Sequence, residues 1–355
     1  MAFEVQSAQV GIYCGLVVLI PRIANRSDLP TCRFLLRSTC HLTHFPLFGL
    51  GEIVIAQVST MMTQVLPIRA LTHNIRYATS SPFQGERPWS ERKQLLLNEL
   101  HYETRHCQET FVCLQEVLHN QLGDILAGLN EETKPEAPGW EYIGVGRDDG
   151  HESGEYSPIF YRAAVWELVH WETVWLSRTP ETPSKSWDAA SIRIVTIGVF
   201  THRQTQNTIL VMNTHLDDQG SRSRLEAARI ILEKISDYRG RTYDQNGVTR
   251  AISGTFLAGD FNSEENQEAY QELTVSLLDA YKEVPSSKRY GNHITWTGFG
   301  YENEAASRID HVLVDPTINL NRRLTVHGYS VLGNKFDDGV YCSDHRAVVV
   351  DLLLR

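Results

Sequence analysis

Residues 255–265, Thr-Phe-Leu-Ala-Gly-Asp-Phe-Asn-Ser-Glu-Glu, set a carboxylate, Asp260, and an amide, Asn262, two positions apart after an apolar run. Residues two apart on an extended chain face one side, so both groups can serve one target. A short apolar strand closing on Gly259 permits close backbone approach and delivers these side chains to a cleft. A carboxylate beside an amide suits activation of water or handling of metal-bound phosphate. The same spacing also describes an ordinary strand, an Asx turn and a helix starting near Ser263.

The pattern recurs along the chain. Predicted strands end in Asn74, Glu116, His215, Asp260/Asn262 and Asp344/His345, and Asp310 lies inside another. One strand-end carboxylate is ordinary, but repetition implies a shared cleft. Oxygen donors from Glu116, Asp344 and Asn74 suit a magnesium-type ion, which keeps waters and grips a substrate phosphate. The histidines are too few and wrongly spaced for zinc, and no H-E-x-x-H occurs. No G-x-S-x-G supports a serine hydrolase. Cys342, beside Asp344 and His345, is either a nucleophile or, more commonly for such a residue, a small buried side chain at a strand end.

In chain order, Asn74, Gln115-Glu116, Asn213-Thr214-His215, Gly259-Asp260-Phe261-Asn262, Ile309-Asp310-His311 and Ser343-Asp344-His345 resemble the motifs of the endonuclease/exonuclease/phosphatase superfamily. The resemblance runs from Leu66 to the C-terminus. It implies an α/β (α+β) fold, a four-layer sandwich of two mixed β-sheets face to face with helices on both outer faces. It implies Glu116 as the main metal ligand, helped by Asn74 and Asp344, with magnesium as cofactor and manganese as its substitute. It makes His345, oriented by Asp310, a catalytic dyad. Asp260 and Asn262 would orient water and the non-bridging oxygens, and His215 would be a second catalytic histidine with Glu155 as partner. Some repair nucleases of the superfamily carry an acidic residue two positions after the Asn, where this chain has Arg76. We read Arg76 as a phosphate contact, with Arg147 and Arg193 as further candidates. His311 points away from Asp310 and is read as structural. Trp296 suits base stacking or, more commonly for a strand tryptophan, the core.

The implied activity is magnesium-dependent phosphoester hydrolysis by in-line water attack. A 3′–5′ exonuclease on single-stranded RNA or DNA stands first. A phosphatase on a small phosphoester and an inactive binding module on the same scaffold are the alternatives.

The elements that must position these residues alternate between strand and helix. Leu66–Ile75, Phe111–Leu114, Tyr142–Val145, Ser157–Tyr161, Val165–Val169, Val174–Leu176, Arg193–Phe200 and Thr208–Asn213 read as strands. Helices are predicted from Pro88 through Leu100, through Leu122–Leu129, over Arg224–Tyr238 and over Glu265–Leu273. Such alternation, with hairpins interspersed, predicts one α/β domain with mixed sheets.

The chain has 355 residues, room for one large or two ordinary domains, and its 42% hydrophobic and 21% charged residues are those of a globular protein. A net charge of -10 argues against coating duplex nucleic acid, but not against a nuclease whose carboxylates hold a cation. Six unordered cysteines, with no C-x-x-C, fit free thiols in a reducing compartment, hence the cytoplasm. Val10–Ile20 is apolar but too short for a membrane span, and Glu4 ahead of it weakens a signal-peptide reading. Residues 1–62 are expected to be an appendage, and 63–355 the catalytic domain.

Overall fold

The computed structural model describes residues 9–13, 16–20, 65–131, 138–245, 247–300, 305–317 and 323–355. Contacts cluster into two units, Met1–Met62 and Thr63–Arg355. In the first, the apolar run divides into two strands, Gln9–Tyr13 and Leu16–Ile20, paired as an antiparallel hairpin. The remainder of the expected appendage lies outside the described residues. No helix among the described residues is long and apolar enough to cross a membrane.

The second unit holds two seven-stranded sheets. The first runs in space as Leu278–Asp279, Asp310–Val314, Val248–Asp260, Thr208–His215, Ile194–His202 and Trp166–Trp175, with Thr242–Gln245 added to the long strand. The second runs as Arg289–Gly291, Leu324–Val331, Val348–Leu354, Leu66–Asn74, Thr110–Gln115, Ile159–Arg162 and Trp140–Ile143. Both are mixed. Val248–Asp260 is parallel to Thr208–His215 and antiparallel to Asp310–Val314. Leu66–Asn74 is parallel to Thr110–Gln115 and antiparallel to Val348–Leu354.

Side-chain alternation along these strands makes the layers. Phe111, Trp166, Phe200, Phe256 and Val350 meet in one core, with the Phe111 ring 4.8 Å from Trp166 and 4.9 Å from Phe200. The opposite parity on the first sheet (Leu210, Met212, Leu257) packs under Ser221–Arg239 and Glu268–Thr274. On the second sheet, Leu71, Val112 and Leu114 pack under Trp89–Thr104 and His119–Leu129. Helix, sheet, sheet and helix form a four-layer α/β sandwich.

Several elements differ from the sequence reading. Val165–Val169 and Val174–Leu176 are parts of one strand, Trp166–Trp175, whose register slips between Leu168 and His170. That irregularity breaks the alternation on which a sequence reading depends. The apolar run before Asp260 is the end of a 13-residue strand. Leu324–Val331, half-buried and without clean alternation, forms a strand against Val348–Leu354 that the sequence reading did not include.

His311 faces the helical layer, as its parity requires. Its ring lies 5.0 Å from both Phe261 and Tyr270, and its Nε2 meets the Ser263 carbonyl at 3.0 Å. Burial, and then Arg308, hold its pKa down at about 4. An unfolded histidine takes up its proton near 6.5, so this group's contribution is intact above that pH and lost as pH falls toward 4. The expected loss is about 3 kcal/mol. Urea midpoints measured across pH 7 to 4 should fall less steeply for His311→Gln, which keeps an N–H for Ser263. Parallel curves would contradict the assignment.

Candidate active site

The polar ends of the two sheets converge because parity and direction agree. Asn74 shares the inward face with Ile68 and Ala70, Asp260 with Phe256 and Ala258, and His215 with Ile209 and Val211. Asp310 begins its strand rather than lying inside it, and that strand runs antiparallel to Val248–Asp260, so Asp310 pairs directly with Asp260. His345 lies in the loop before Val348–Leu354 and bridges Trp296. Gln115 stitches the sheets at this end, its Nε2 donating to Asn213 Oδ1 at 2.7 Å.

Local backbone geometry then aims the side chains. Glu116, one residue past its strand, would point outward by alternation, but φ is +58° there, a left-handed turn that departs from the strand. Arg76 (φ +58°) and Asn262 (φ +45°) adopt the same uncommon region, so three such residues gather at one site. Gly259 has φ +152°, and a Cβ there would fall 2.1 Å from the Thr214 carbonyl oxygen. Only glycine lets Asp260 and His215 lie on strands this close.

Asn74 Nδ2 donates to Glu116 Oε1 at 3.0 Å and to Asp260 Oδ2 at 2.9 Å. Its Oδ1 accepts the Arg76 backbone N–H at 3.0 Å. Asn74, expected to help hold the metal, here presents its amine to the two carboxylates and spaces them, while its oxygen caps the turn at Arg76. Glu116 Oε2 accepts the Tyr77 N–H at 3.1 Å. Asp260 Oδ1 accepts the Asn262 N–H at 2.9 Å. His345 Nδ1 meets Asp310 Oδ2 at 2.8 Å, and its Nε2 lies 3.6 Å from Asp260 Oδ2.

His215, expected to partner Glu155, turns its Nδ1 toward that carboxylate without a hydrogen bond. The two are 3.8 Å apart, too far for a hydrogen bond. Glu155 accepts instead from Arg147 Nη1 at 2.6 Å, and His215 Nε2 takes the Asn262 amide at 3.0 Å. Arg193 Nη2 donates to Asp218 at 2.7 Å. Arg76 Nε donates to Glu86 at 3.3 Å, and its Nη1 lies 3.7 Å from Glu116.

A cavity of about 710 Å³ joins these groups, with Glu116, Asp260, Asn262, Asp344, His215 and His345 at its inner wall and Arg76, Arg147, Glu155 and Arg193 around them. Burial, then Asp310, push Asp260 up to about 7. Burial, then Glu116, do the same to Glu155. His345 moves the other way from a buried base: burial opposes its charge, but Asp310 and Asp260 together raise it to about 10. His215 is held well below its ordinary value by burial and by Arg193 and Arg147, so it is neutral.

The donor set fits a hard divalent cation. Asp260, Asp310 and His345 bring ligand atoms within 4.8 Å of one another, all buried. His345 Nδ1 is already bonded to Asp310 there, which leaves Glu116 and Asp344 as the better oxygen pair. Both face the cavity, and burial with the neighbouring Glu116 charge holds Asp344 above the usual carboxylate range, a crowding that a cation relieves.

Sequence reasoning missed the residues that hold this wall. Arg92, wholly buried, donates to the carbonyls of Ile75, Cys342 and Arg76 at 2.8, 2.8 and 3.1 Å. Ser343 Oγ donates to the Asn74 carbonyl at 2.6 Å and accepts the His345 N–H at 3.1 Å. A serine already inside a quoted motif was the one available signal; Arg92 had none. Trp296 is half-buried in the cavity wall, not in the core. Cys342 is buried and its thiol is pushed well above its ordinary pKa, which removes it as a nucleophile.

The profile described as the Endonuclease/Exonuclease/phosphatase family matches residues 71–345. A solved endonuclease/exonuclease/phosphatase family protein from Bacteroides thetaiotaomicron is 30% identical, with a TM-score of 0.69 over 82% of this chain and 96% of that one. A mannosyl-6-phosphatase from Bacteroides thetaiotaomicron VPI-5482 is 31% identical, with a TM-score of 0.67 over 80% of this chain and 99% of that one. A curated relative, the CCR4-Not complex 3′-5′-exoribonuclease subunit Ccr4 of Debaryomyces hansenii, is 22% identical over 258 residues, 66% of this chain. The match spans 30% of that relative's length.

Proposed function

From the premise that the chain belongs to the endonuclease/exonuclease/phosphatase family, whose members hydrolyse phosphoester bonds, we propose that it is a divalent-cation-dependent phosphoesterase acting on a small phosphoester. The observation that carries this is the cavity itself. Its arginines are each paired with a carboxylate, Arg76 with Glu86, Arg147 with Glu155 and Arg193 with Asp218, while Arg147 Nε and Arg193 Nη1 keep an N–H without a hydrogen-bond partner. Such a wall receives one phosphoryl group, and it offers no basic track for a polyanion. Gln219, Glu264, Gln267 and Trp296 are among the other lining residues, a mixed polar and aromatic surface that suits a polar, uncharged leaving group. The likeness to a mannosyl-6-phosphatase over nearly its whole length supports the same reading.

Glu116 and Asp344 would hold a magnesium or manganese ion, with Asn74 fixing the Glu116 carboxylate. The ion supplies charge neutralisation at the phosphoryl oxygens. Asp260, poised near neutrality between Asn74 and the Asn262 N–H, accepts a proton from the attacking water. The His345 imidazolium, its tautomer and ring plane set by Asp310, donates from Nε2 to a phosphoryl oxygen. His215 stays neutral and holds the Asn262 amide in place.

The sequence reading put a single-strand 3′–5′ exonuclease first. The Ccr4 match and the Trp296 face in the cavity wall favour that second reading. A panel of sugar phosphates, inositol phosphates, p-nitrophenyl phosphate, single-stranded RNA and DNA, duplex DNA and sphingomyelin, with magnesium, separates the two. The expected result is turnover of small phosphoesters, with a Michaelis constant that rises only about fourfold between 50 and 200 mM salt, as for roughly one phosphate contact. A rise of about a thousandfold, with duplex DNA preferred, would refute it.

A further inference from the structure

A second cavity, of about 750 Å³, lies between the helix Trp89–Thr104 and the segments 290–292 and 331–336, and shares no lining residue with the first. Its floor includes Glu99, whose side chain is 5% exposed. Glu99 Oε1 meets His73 Nδ1 at 2.8 Å, while Oε2 is buried with no hydrogen-bond partner. On the far side of the same ring, His73 Nε2 lies 3.2 Å from the carbonyl oxygen of His345. The rim carries Tyr102, Tyr290 and Phe336, exposed by 62%, 76% and 43%. Glu103 adds a second carboxylate, drawn toward Arg69 at 3.3 Å. Among the described residues no lysine or arginine lines the cavity. Arg105 does lie over the Tyr102 ring, 3.3 Å from its centroid, so one rim aromatic already receives a cation.

A buried carboxylate oxygen without a donor is destabilising, and aromatic faces attract cations. We infer that this cavity binds a small organic cation, its ammonium compensating the Glu99 carboxylate and its apolar body resting on Tyr102, Tyr290 and Phe336. The site is linked to the catalytic loop through His73. His73 stands between two acceptors, the Glu99 carboxylate at Nδ1 and the His345 carbonyl at Nε2. An ammonium on Glu99 weakens that carboxylate's hold on the ring and strengthens its bond to the His345 carbonyl. The cavity wall reaches the same loop a second way: the lining residue Leu332 donates its N–H to the Ala347 carbonyl at 2.9 Å, and Asn334, next to the lining residue Gly333, donates from Nδ2 to the Ser343 carbonyl at 2.9 Å. Binding therefore firms the backbone that carries the catalytic imidazole.

The test uses the full chain, titrated calorimetrically with 2-phenylethylamine and with 2-phenylethanol as its neutral counterpart. The amine should bind saturably and about tenfold or more tighter than the alcohol. Glu99→Gln should erase that preference. Tyr290→Ala, at an exposed position that does not threaten the fold, should weaken amine binding severalfold. Saturating amine should raise kcat on the best panel substrate with KM unchanged. No saturable binding, equal binding of amine and alcohol, or undiminished binding in Tyr290→Ala would overturn the site. Amine binding that leaves kcat unmoved would overturn the link to His345.

Discussion

Glu116→Ala is expected to lower kcat by on the order of a thousandfold, about 4 kcal/mol of transition-state stabilisation. Glu116 is the carboxylate that the left-handed turn aims into the cavity, steadied by Asn74 and the Tyr77 N–H. Its removal also frees Asn74, which then bonds Asp260 alone, so the proton acceptor is disturbed along with the cation site. Two measurements check this: kcat at saturating magnesium, and manganese binding followed by its paramagnetic signal. Both should collapse in the variant, and excess chelator should silence the unmodified protein. Full turnover in chelator would sink the cation assignment even if the variant is inactive. Glu116→Gln separates charge from shape, since it keeps an oxygen for the Tyr77 N–H; it too should be severely impaired.

The second large effect belongs to the dyad. His345→Ala and Asp310→Asn should each reduce kcat by roughly a thousandfold or more, with His345→Ala the more severe. Asp310 acts through the imidazole: its Oδ2 holds Nδ1 at 2.8 Å, and both residues are buried. Once His345 is gone, Asp310 has nothing left to orient. The double variant should therefore resemble His345→Ala alone rather than show the product of the two losses. Losses that multiply would mean that Asp310 serves some other group, such as Asp260, its partner across the strand pair. The comparison should be made on kcat with folding verified by thermal melts, because Asp310 Oδ1 is buried and unpartnered and a neutral Asn there changes the core as well.

Much of the site could be read from the chain because strand parity is local. Asp260 and Asn262 follow an apolar run, and a spacing of two sets their side of the strand without knowledge of any neighbour. The same logic put His311 on the face opposite Asp310, where its ring packs on Phe261 and Tyr270. Motif order then implied two sheets with their polar ends together, and the sandwich has that form. The strand Trp166–Trp175 reads in the sequence as two pieces because its register slip erases the alternation that marks a strand.

What the sequence by itself determined, then, is the set of chemical groups, the strand ends that carry them and the face each one takes. Those properties depend on residues adjacent in the chain and on a backbone repeat that is the same in every protein. The tertiary structure alone decided which groups touch. Asn262 rather than Glu155 holds His215, Asn74 turns its nitrogen to Glu116 and Asp260, and each candidate arginine is paired with a carboxylate. It also decided protonation: the same aspartate chemistry that ionises freely in water is pushed to about 7 at Asp260, because burial removes water and Asp310 stands beside it. Hydrogen bonds act over about 3 Å and desolvation depends on enclosure from every side. Partners such as Asn74 and Asp260 lie 186 positions apart in the chain, and only the packing of one sheet on the other brings them to that distance.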